Sequence, residues 1–150
     1  RVSKEKWQKI NYKPDIVIFE GWCVGVNPQK NKDLITPINE LEKEKDKKRI
    51  WRERVNFELK NEYRKIFKLI DKLIFLKVPS FNHVLKWRLL QEKKLRLSYK
   101  GNRTMNEKEI KNFIMFYQRI TLHMLKNLGK RADIVIGIDK KHRLKSIKFN

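Results

Sequence analysis

The sequence predicts an α/β layered fold with a mostly parallel sheet, and three observations carry that prediction. Short apolar runs at residues 16–19, 73–78 and 134–138 have the length and β-branched content of strands buried on both faces. Between them lie long segments in which apolar residues recur every three or four positions, the period of an amphipathic helix. No internal repeat and no coiled-coil heptad competes with this layout.

Residues 1–13 are polar, with Trp7 and Ile10 as anchors, and Pro14 breaks any helix before the first run. That run, DIVIFEGWCVG from Asp15 to Gly25, reads as a buried strand ending on a carboxylate. Glu20 stands where such a strand leaves the sheet at its carboxyl edge, the side on which open α/β sheets bind ligands. Gly21 lets the chain turn away there. The Asn27-Pro28 and Thr36-Pro37 pairs then mark an irregular excursion up to about Ile38, a position suited to substrate recognition. One long helix is expected over residues 46–70, with Trp51, Val55, Leu59, Tyr63, Ile66, Phe67 and Ile70 on its apolar face.

The second strand follows at residues 73–78 and is stopped by Pro79. Ser80 is placed to cap a helix running to about Leu97, which carries Trp87 and Arg88 among many cations. A polar loop with Gly101 is expected over residues 98–104. Asn106 and Glu109 then form a capping-box variant at the head of a strongly striped helix, Ile110, Phe113, Ile114, Tyr117, Ile120, Met124, Leu125 and Leu128, closed by Gly129. The third strand, residues 134–138, leads through the turn from Asp139 to His142 into an alternating tail that suits a final short strand.

Composition narrows the function classes. With 40% hydrophobic residues the chain is too apolar for a disordered tail, and at 150 residues it has room for one domain. Its net charge of +21 suits a polyanionic partner, yet the lysines are scattered among Asn and Ile, as codon bias also produces. One cysteine, Cys23, excludes an intrachain disulfide and a Cys-based zinc site, and a reducing compartment is its simplest home. There is no apolar run of roughly 18 residues and no signal-peptide core, so a cytoplasmic protein without a membrane partner is expected. His83, His123 and His142 lack metal-ligand spacing.

Several blocks in order, DIVIFEGWCVG (15–25), PINELE (37–42), WRERVN (51–56), WRLLQE (87–92), the segment 105–121 with Phe113, Tyr117 and Arg119, and ADIV (132–135) with Asp139 and His142, closely resemble the D-glycerate 3-kinase-like P-loop kinases, relatives of uridine kinase, pantothenate kinase and phosphoribulokinase. The resemblance covers essentially the whole chain. It implies a P-loop NTPase-like three-layer fold and phosphoryl transfer from ATP, with Mg²⁺, to a small hydroxy acid, D-glycerate giving 3-phosphoglycerate. By the same resemblance Glu20 is the acidic residue of a Walker B-like strand, acting on Mg²⁺ directly or through water or orienting the acceptor hydroxyl. Gly21 and Trp22 shape the acceptor pocket. Arg88 is the lid cation over the transferring phosphoryl group, a task suited to guanidinium geometry. Arg52, Asn56 and Arg119 are candidates for holding acceptor oxygens, and His142 for lying near the adenine.

Each residue also has a plainer reading. Glu20 can cap or pair locally, Arg88 can pair with Glu92 one turn on, helix arginines usually face solvent, and Trp22, Trp51 and Trp87 suit packing. One family feature is absent: the glycines Gly21, Gly25, Gly101, Gly129 and Gly137 form no G-x-x-x-x-G-K-[S/T] loop to cradle phosphates. The expectation is therefore that residues 1–150 are the C-terminal portion of a single kinase domain, whose phosphate-loop portion, several strand–helix units of about 30 residues, lies upstream of Arg1. Such a piece alone is expected to aggregate or dimerise through its open sheet edge. A uridine- or pantothenate-type acceptor, a non-catalytic subunit, and a basic nucleic-acid-binding module are the alternatives; against the last, the charge is dispersed and no nucleic-acid motif is present.

Overall fold

The computed structural model describes residues 3–98 and 104–150; most of the loop expected over residues 98–104 lies outside the described residues. Helices α1 (Glu40–Lys45), α2 (Ile50–Lys60) and α3 (Glu62–Phe67) precede strand β1 (Ile74–Lys77). Two long helices follow, α4 (Phe81–Ser98) and α5 (Glu107–Asn127), and the chain closes with β2 (Ile134–Ile138) and β3 (Leu144–Phe149). The sheet order is β1-β2-β3. β1 and β2 run parallel with Phe75 opposite Val135, while β3 returns antiparallel with Ile147 opposite Ile136. The final short strand that the alternating tail predicts is thus the antiparallel edge of an α/β sheet.

The starts of the two parallel strands are tied together by one carboxylate. Asp133 accepts the Leu73 N–H at 2.9 Å and the Lys72 ammonium at 3.0 Å. The Leu73 N–H and then Lys72 hold its carboxyl below the usual range. Asn106 and Glu109 form the predicted capping box at the head of α5. That helix lays Ile120 and Met124 on a core completed by Val26, Leu59, Phe75, Leu128 and Ala132. The core sits between α5 and one face of the sheet. α5 stops at Asn127 and passes through a short 3₁₀ turn, Leu128–Lys130, that contains Gly129.

Gly25 shows why the chain can reach this core. It sits at φ +75°, a conformation that L side chains rarely adopt, and a Cβ there would come within 2.7 Å of the Leu73 side chain. Gly25→Ala is expected to destabilise the protein by about 1–3 kcal/mol through overpacking and backbone strain together. A urea-unfolding midpoint equal to that of the parent protein would show that the turn relaxes freely.

Two expectations are corrected. The run at residues 16–19 forms no strand: Ile18 is 87% exposed and Ile16 79%, and no ladder includes them. A strand requires a neighbour to take its N–H and C=O groups, and no described segment lies beside this one. The single helix expected over residues 46–70 is interrupted. Asp46 accepts the Trp51 N–H at 2.9 Å and the Arg52 N–H at 3.2 Å, so its carboxylate starts α2. At Asn61 the backbone leaves the helical region (φ −109°, ψ −86°), and its side-chain amide takes the Phe57 carbonyl at 2.8 Å. The apolar stripe of this segment also faces outward more than predicted. Trp51, Val55, Tyr63 and Ile66 are exposed, whereas the buried residues of α2 are Arg52, Asn56 and Leu59.

Candidate active site

One face of α4 explains where the predicted site residues meet. Val84, Trp87, Arg88, Gln91 and Lys94 recur at helical spacing, and together they line a cleft of about 580 Å³. The cleft opens at the carboxyl end of β1, where Leu76 and Val78 form its wall, and His142 closes it from the turn between β2 and β3. Trp22 enters from the other side. Its indole N–H donates to Thr121 Oγ1 at 2.9 Å, the Thr121 hydroxyl donates to the Tyr117 carbonyl, and the Trp22 and Tyr117 rings meet edge to face at 4.9 Å.

Three predicted residues, Trp22, Arg88 and His142, are therefore brought into one cleft. Trp87, read from the sequence as packing, and Lys94 belong to it too. The helical spacing of Trp87, Arg88, Gln91 and Lys94 was the available signal for both. The Trp87 and His142 rings lie 3.9 Å apart, and His142 holds a left-handed backbone at φ 63°. The turn that carries it is built by Asp139, whose carboxylate accepts the Lys141 and Arg143 N–H groups. The Arg143 amide foremost, against the opposing effect of burial and helped by the Lys141 amide, lowers the pKa of Asp139.

Arg88 is partly shielded. Its guanidinium pairs with the Glu92 carboxylate one turn on and lies 6.0 Å from the centroid of the Phe113 ring. Glu92 is buried and also accepts the Met105 N–H at 2.7 Å. That N–H, and then Arg88 against the opposing effect of burial, lowers the carboxyl's pKa. Glu20 and Gly21 are exposed in the segment just before Trp22 and are not among the residues lining the cleft.

Arg52, Asn56 and Arg119 lie elsewhere. All three are buried and turned toward the loop at residues 27–39. Arg52 donates to the Leu34 and Ile35 carbonyls at 2.7 and 3.3 Å and pairs with Asp46. Arg119 donates to the Asp33 and Thr36 carbonyls at 2.7 and 2.8 Å and forms a two-point pair with Glu42. Four consecutive carbonyls, 33–36, are thus held by two guanidinium groups. Asn56 exchanges hydrogen bonds with the Gln29 backbone. In this structure the polar groups of these three side chains are engaged in an internal clamp on the loop, as buried polar side chains require partners.

His123 fastens the same loop from α5. Asn127 Nδ2 donates to its Nδ1 at 3.1 Å, so Nε2 carries the proton and donates to the Asn27 carbonyl at 3.0 Å. Burial lowers its pKa, opposed by the Asn27 carbonyl and by Asp33. The unfolded chain therefore takes up this proton first, and stability falls as pH drops from about 6.5 toward the lower folded value. Thermal melting at about pH 7.5 and about pH 5.5 is expected to show a larger loss for the parent protein than for His123→Gln. Equal losses would assign the acid sensitivity to other groups.

The site fits part of what Mg·ATP requires. Aromatic rings and two cations line the cleft, suiting a base and its phosphates, whereas no carboxylate lines it and Glu20, two residues before Trp22, stands outside its wall. Among the described residues no group of three or more His, Cys, Asp or Glu side chains is placed to hold a metal, and no helix is long and apolar enough to cross a membrane.

No family model matches the chain. It is 31% identical over 137 residues to a Schizosaccharomyces pombe protein named uncharacterized kinase mug58, an alignment covering 89% of this chain and 47% of that protein. It is 25% identical over 146 residues to the chloroplastic D-glycerate 3-kinase of Arabidopsis thaliana, covering 93% of this chain and 29% of that one. The structure superposes on D-glycerate 3-kinase from Cryptococcus neoformans var. grubii with a TM-score of 0.70 at 19% identity, over 94% of this chain and 52% of that chain. The chain thus spans about half the length of two of these proteins and under a third of the plant one. In sequence the chain is thus similar to two kinases and in fold to a third, a likeness that supports a D-glycerate 3-kinase-like kinase family and runs over 89–94% of this chain.

Proposed function

We propose that residues 1–150 are the C-terminal portion of one P-loop kinase domain that phosphorylates a hydroxyl of a small hydroxy acid, D-glycerate giving 3-phosphoglycerate, in the cytoplasm. The observation that carries this reading is the cleft at the carboxyl end of β1, where Trp22, Arg88 and His142 converge from three separate parts of the chain. Trp87 and His142 offer aromatic surface to the adenine. Arg88 and Lys94 offer positive charge to phosphate oxygens, and Gly21 and Trp22 shape the space for the acceptor. Glu20 serves as the acidic group toward Mg²⁺, or orients the acceptor hydroxyl. Mg·ATP, when bound, supplies the phosphoryl group and the neutralising charge. Arg52, Asn56 and Arg119 act as positioning residues that fix the loop at residues 27–39.

The phosphate cradle and the partners for residues 16–19 belong, in this reading, to the remainder of the domain. An unpaired β-branched segment ready to join a sheet supports it. The test takes the longest in-frame protein containing these residues and follows ADP release, with product identified by ³¹P NMR, for D-glycerate, other hydroxy acids, uridine and pantothenate. Turnover with D-glycerate is the expected result. Turnover with uridine or pantothenate alone would move the acceptor to that class, and no turnover with any of them would overturn the kinase reading.

A further inference from the structure

A second cleft, of about 550 Å³, opens at the other end of the parallel strands, beside Leu73 and Asp133 at the starts of β1 and β2. Four cations line it: Lys60 at the end of α2, Arg64 in α3, Lys68 just after α3, and Arg131 before β2. Its one carboxylate, Asp133, is already held by Lys72 and the Leu73 N–H.

This charge differs from the general basicity of the chain. Several exposed helix cations elsewhere have a carboxylate one turn away, as in Arg49–Glu53, Arg54–Glu58, Lys65–Glu62 and Lys111–Glu107. Lys60, Arg64 and Lys68 instead succeed one another at intervals of four, and none is paired with a carboxylate among the described residues. Gathered round one cleft, these like charges repel one another, and low-dielectric walls sharpen the field between them. Arg131 gives one bond, from Nη1 to the Gly25 carbonyl at 3.1 Å, which fixes its guanidinium at the rim. Leu59, Phe67 and Ile70 supply an apolar wall, and Asn27 and Pro28 stand in the lining beside them. The volume is in the range of roughly 300–1,000 Å³ typical of small-ligand pockets.

We propose that this cleft is a binding site for a compact organic phosphate, its phosphate among Lys60, Arg64, Lys68 and Arg131 and its apolar part against Phe67 and Leu59. Guanidinium groups match phosphate oxygens two bonds at a time, and the ammonium groups add point charge. The site lies at the strand ends opposite the candidate active cleft, so its ligand is a second ligand and not the reacting pair. The proposal goes beyond the kinase reading and does not depend on it.

The test uses the longest in-frame protein and 1-naphthyl phosphate as the probe, with 1-naphthol as the uncharged control. Titration calorimetry is combined with acetylation footprinting of Lys60 and Lys68. The expected result is saturable binding that protects both lysines, is absent for 1-naphthol, and weakens at least about tenfold in Arg64→Ala/Lys68→Ala, as loss of charge-assisted hydrogen bonds requires. Both replaced side chains are exposed, and circular dichroism checks that the fold is kept. Arg88→Ala is expected to leave the affinity unchanged. The proposal is overturned by absence of saturable binding, by binding that follows Arg88 and not the Arg64/Lys68 pair, or by lysines already protected without probe, which would mean that polypeptide covers the cleft.

Discussion

Arg119→Ala is expected to lower folding stability by about 3–5 kcal/mol, the range for removing one partner of a buried ion pair. Glu42 is 8% exposed and Arg119 7%, so neither charge recovers much hydration when the other is lost. After the substitution the Glu42 carboxylate keeps only the Ile38 N–H, at 3.0 Å, and the N–H of its own helix start is already bound to Asn39. The Asp33 and Thr36 carbonyls lose their donors at the same time. Arg119→Lys is expected to fall between, since an ammonium meets Glu42 but cannot hold two carbonyls and a two-point pair together. Urea unfolding measures the loss. Glu42→Ala closes a double-mutant cycle in which the double variant should be far less damaged than the sum of the single changes. A change below about 1 kcal/mol, the worth of a surface pair, would show that water reaches this clamp. Damage should also reach the cleft, because Thr121, which fixes Trp22, stands two residues beyond Arg119 on the same helix.

The sequence signals that succeed are local ones. β1 and β2 are short apolar runs whose neighbours follow within the described chain, and α5 announces itself by Asn106, Glu109 and an uninterrupted stripe. The run at residues 16–19 opens with the same Ile-Val-Ile as β2 but does not share its fate, because pairing is a property of two segments and composition reports one. The buried side of α2 was hidden for a related reason. Arg52 and Asn56 are inside only because the carbonyls of Leu34, Ile35 and Gln29 meet them there, and helical periodicity counts apolar residues, not distant acceptors. In the candidate site, family blocks picked out Trp22, Arg88 and His142, while Trp87 was read as packing since an indole serves either role. What distinguishes it is the His142 ring beside it, brought 55 positions along the chain by the β2–β3 turn.

If the proposed kinase reading holds, Arg88→Ala reduces kcat for phosphoryl transfer by about 10²–10³-fold, the usual cost of removing one preorganised charge from a transition state. The structure adds a complication that the measurement must separate. Arg88 is also the partner of buried Glu92, and the alanine variant leaves that carboxylate with the Met105 N–H and without its guanidinium. A stability loss therefore accompanies the kinetic one. Arg88→Lys separates them: the ammonium keeps a charge near Glu92 while the planar fork is gone, so stability should recover more than kcat does. Glu92→Gln works from the other side. It releases Arg88 from its ion pair yet retains a hydrogen-bond acceptor for Met105, and it should leave kcat within about tenfold of the parent, since one neutralised pairing group is worth far less than the reacting charge. If Arg88 acts only through Glu92, the pattern inverts: Arg88→Lys would be nearly as active as the parent, and Glu92→Gln would be as impaired as Arg88→Ala. The ratio of kcat to KM effects completes the distinction. A lid cation that engages the phosphoryl group chiefly in the transition state lowers kcat with KM little changed, whereas a residue that merely shapes the cleft raises KM.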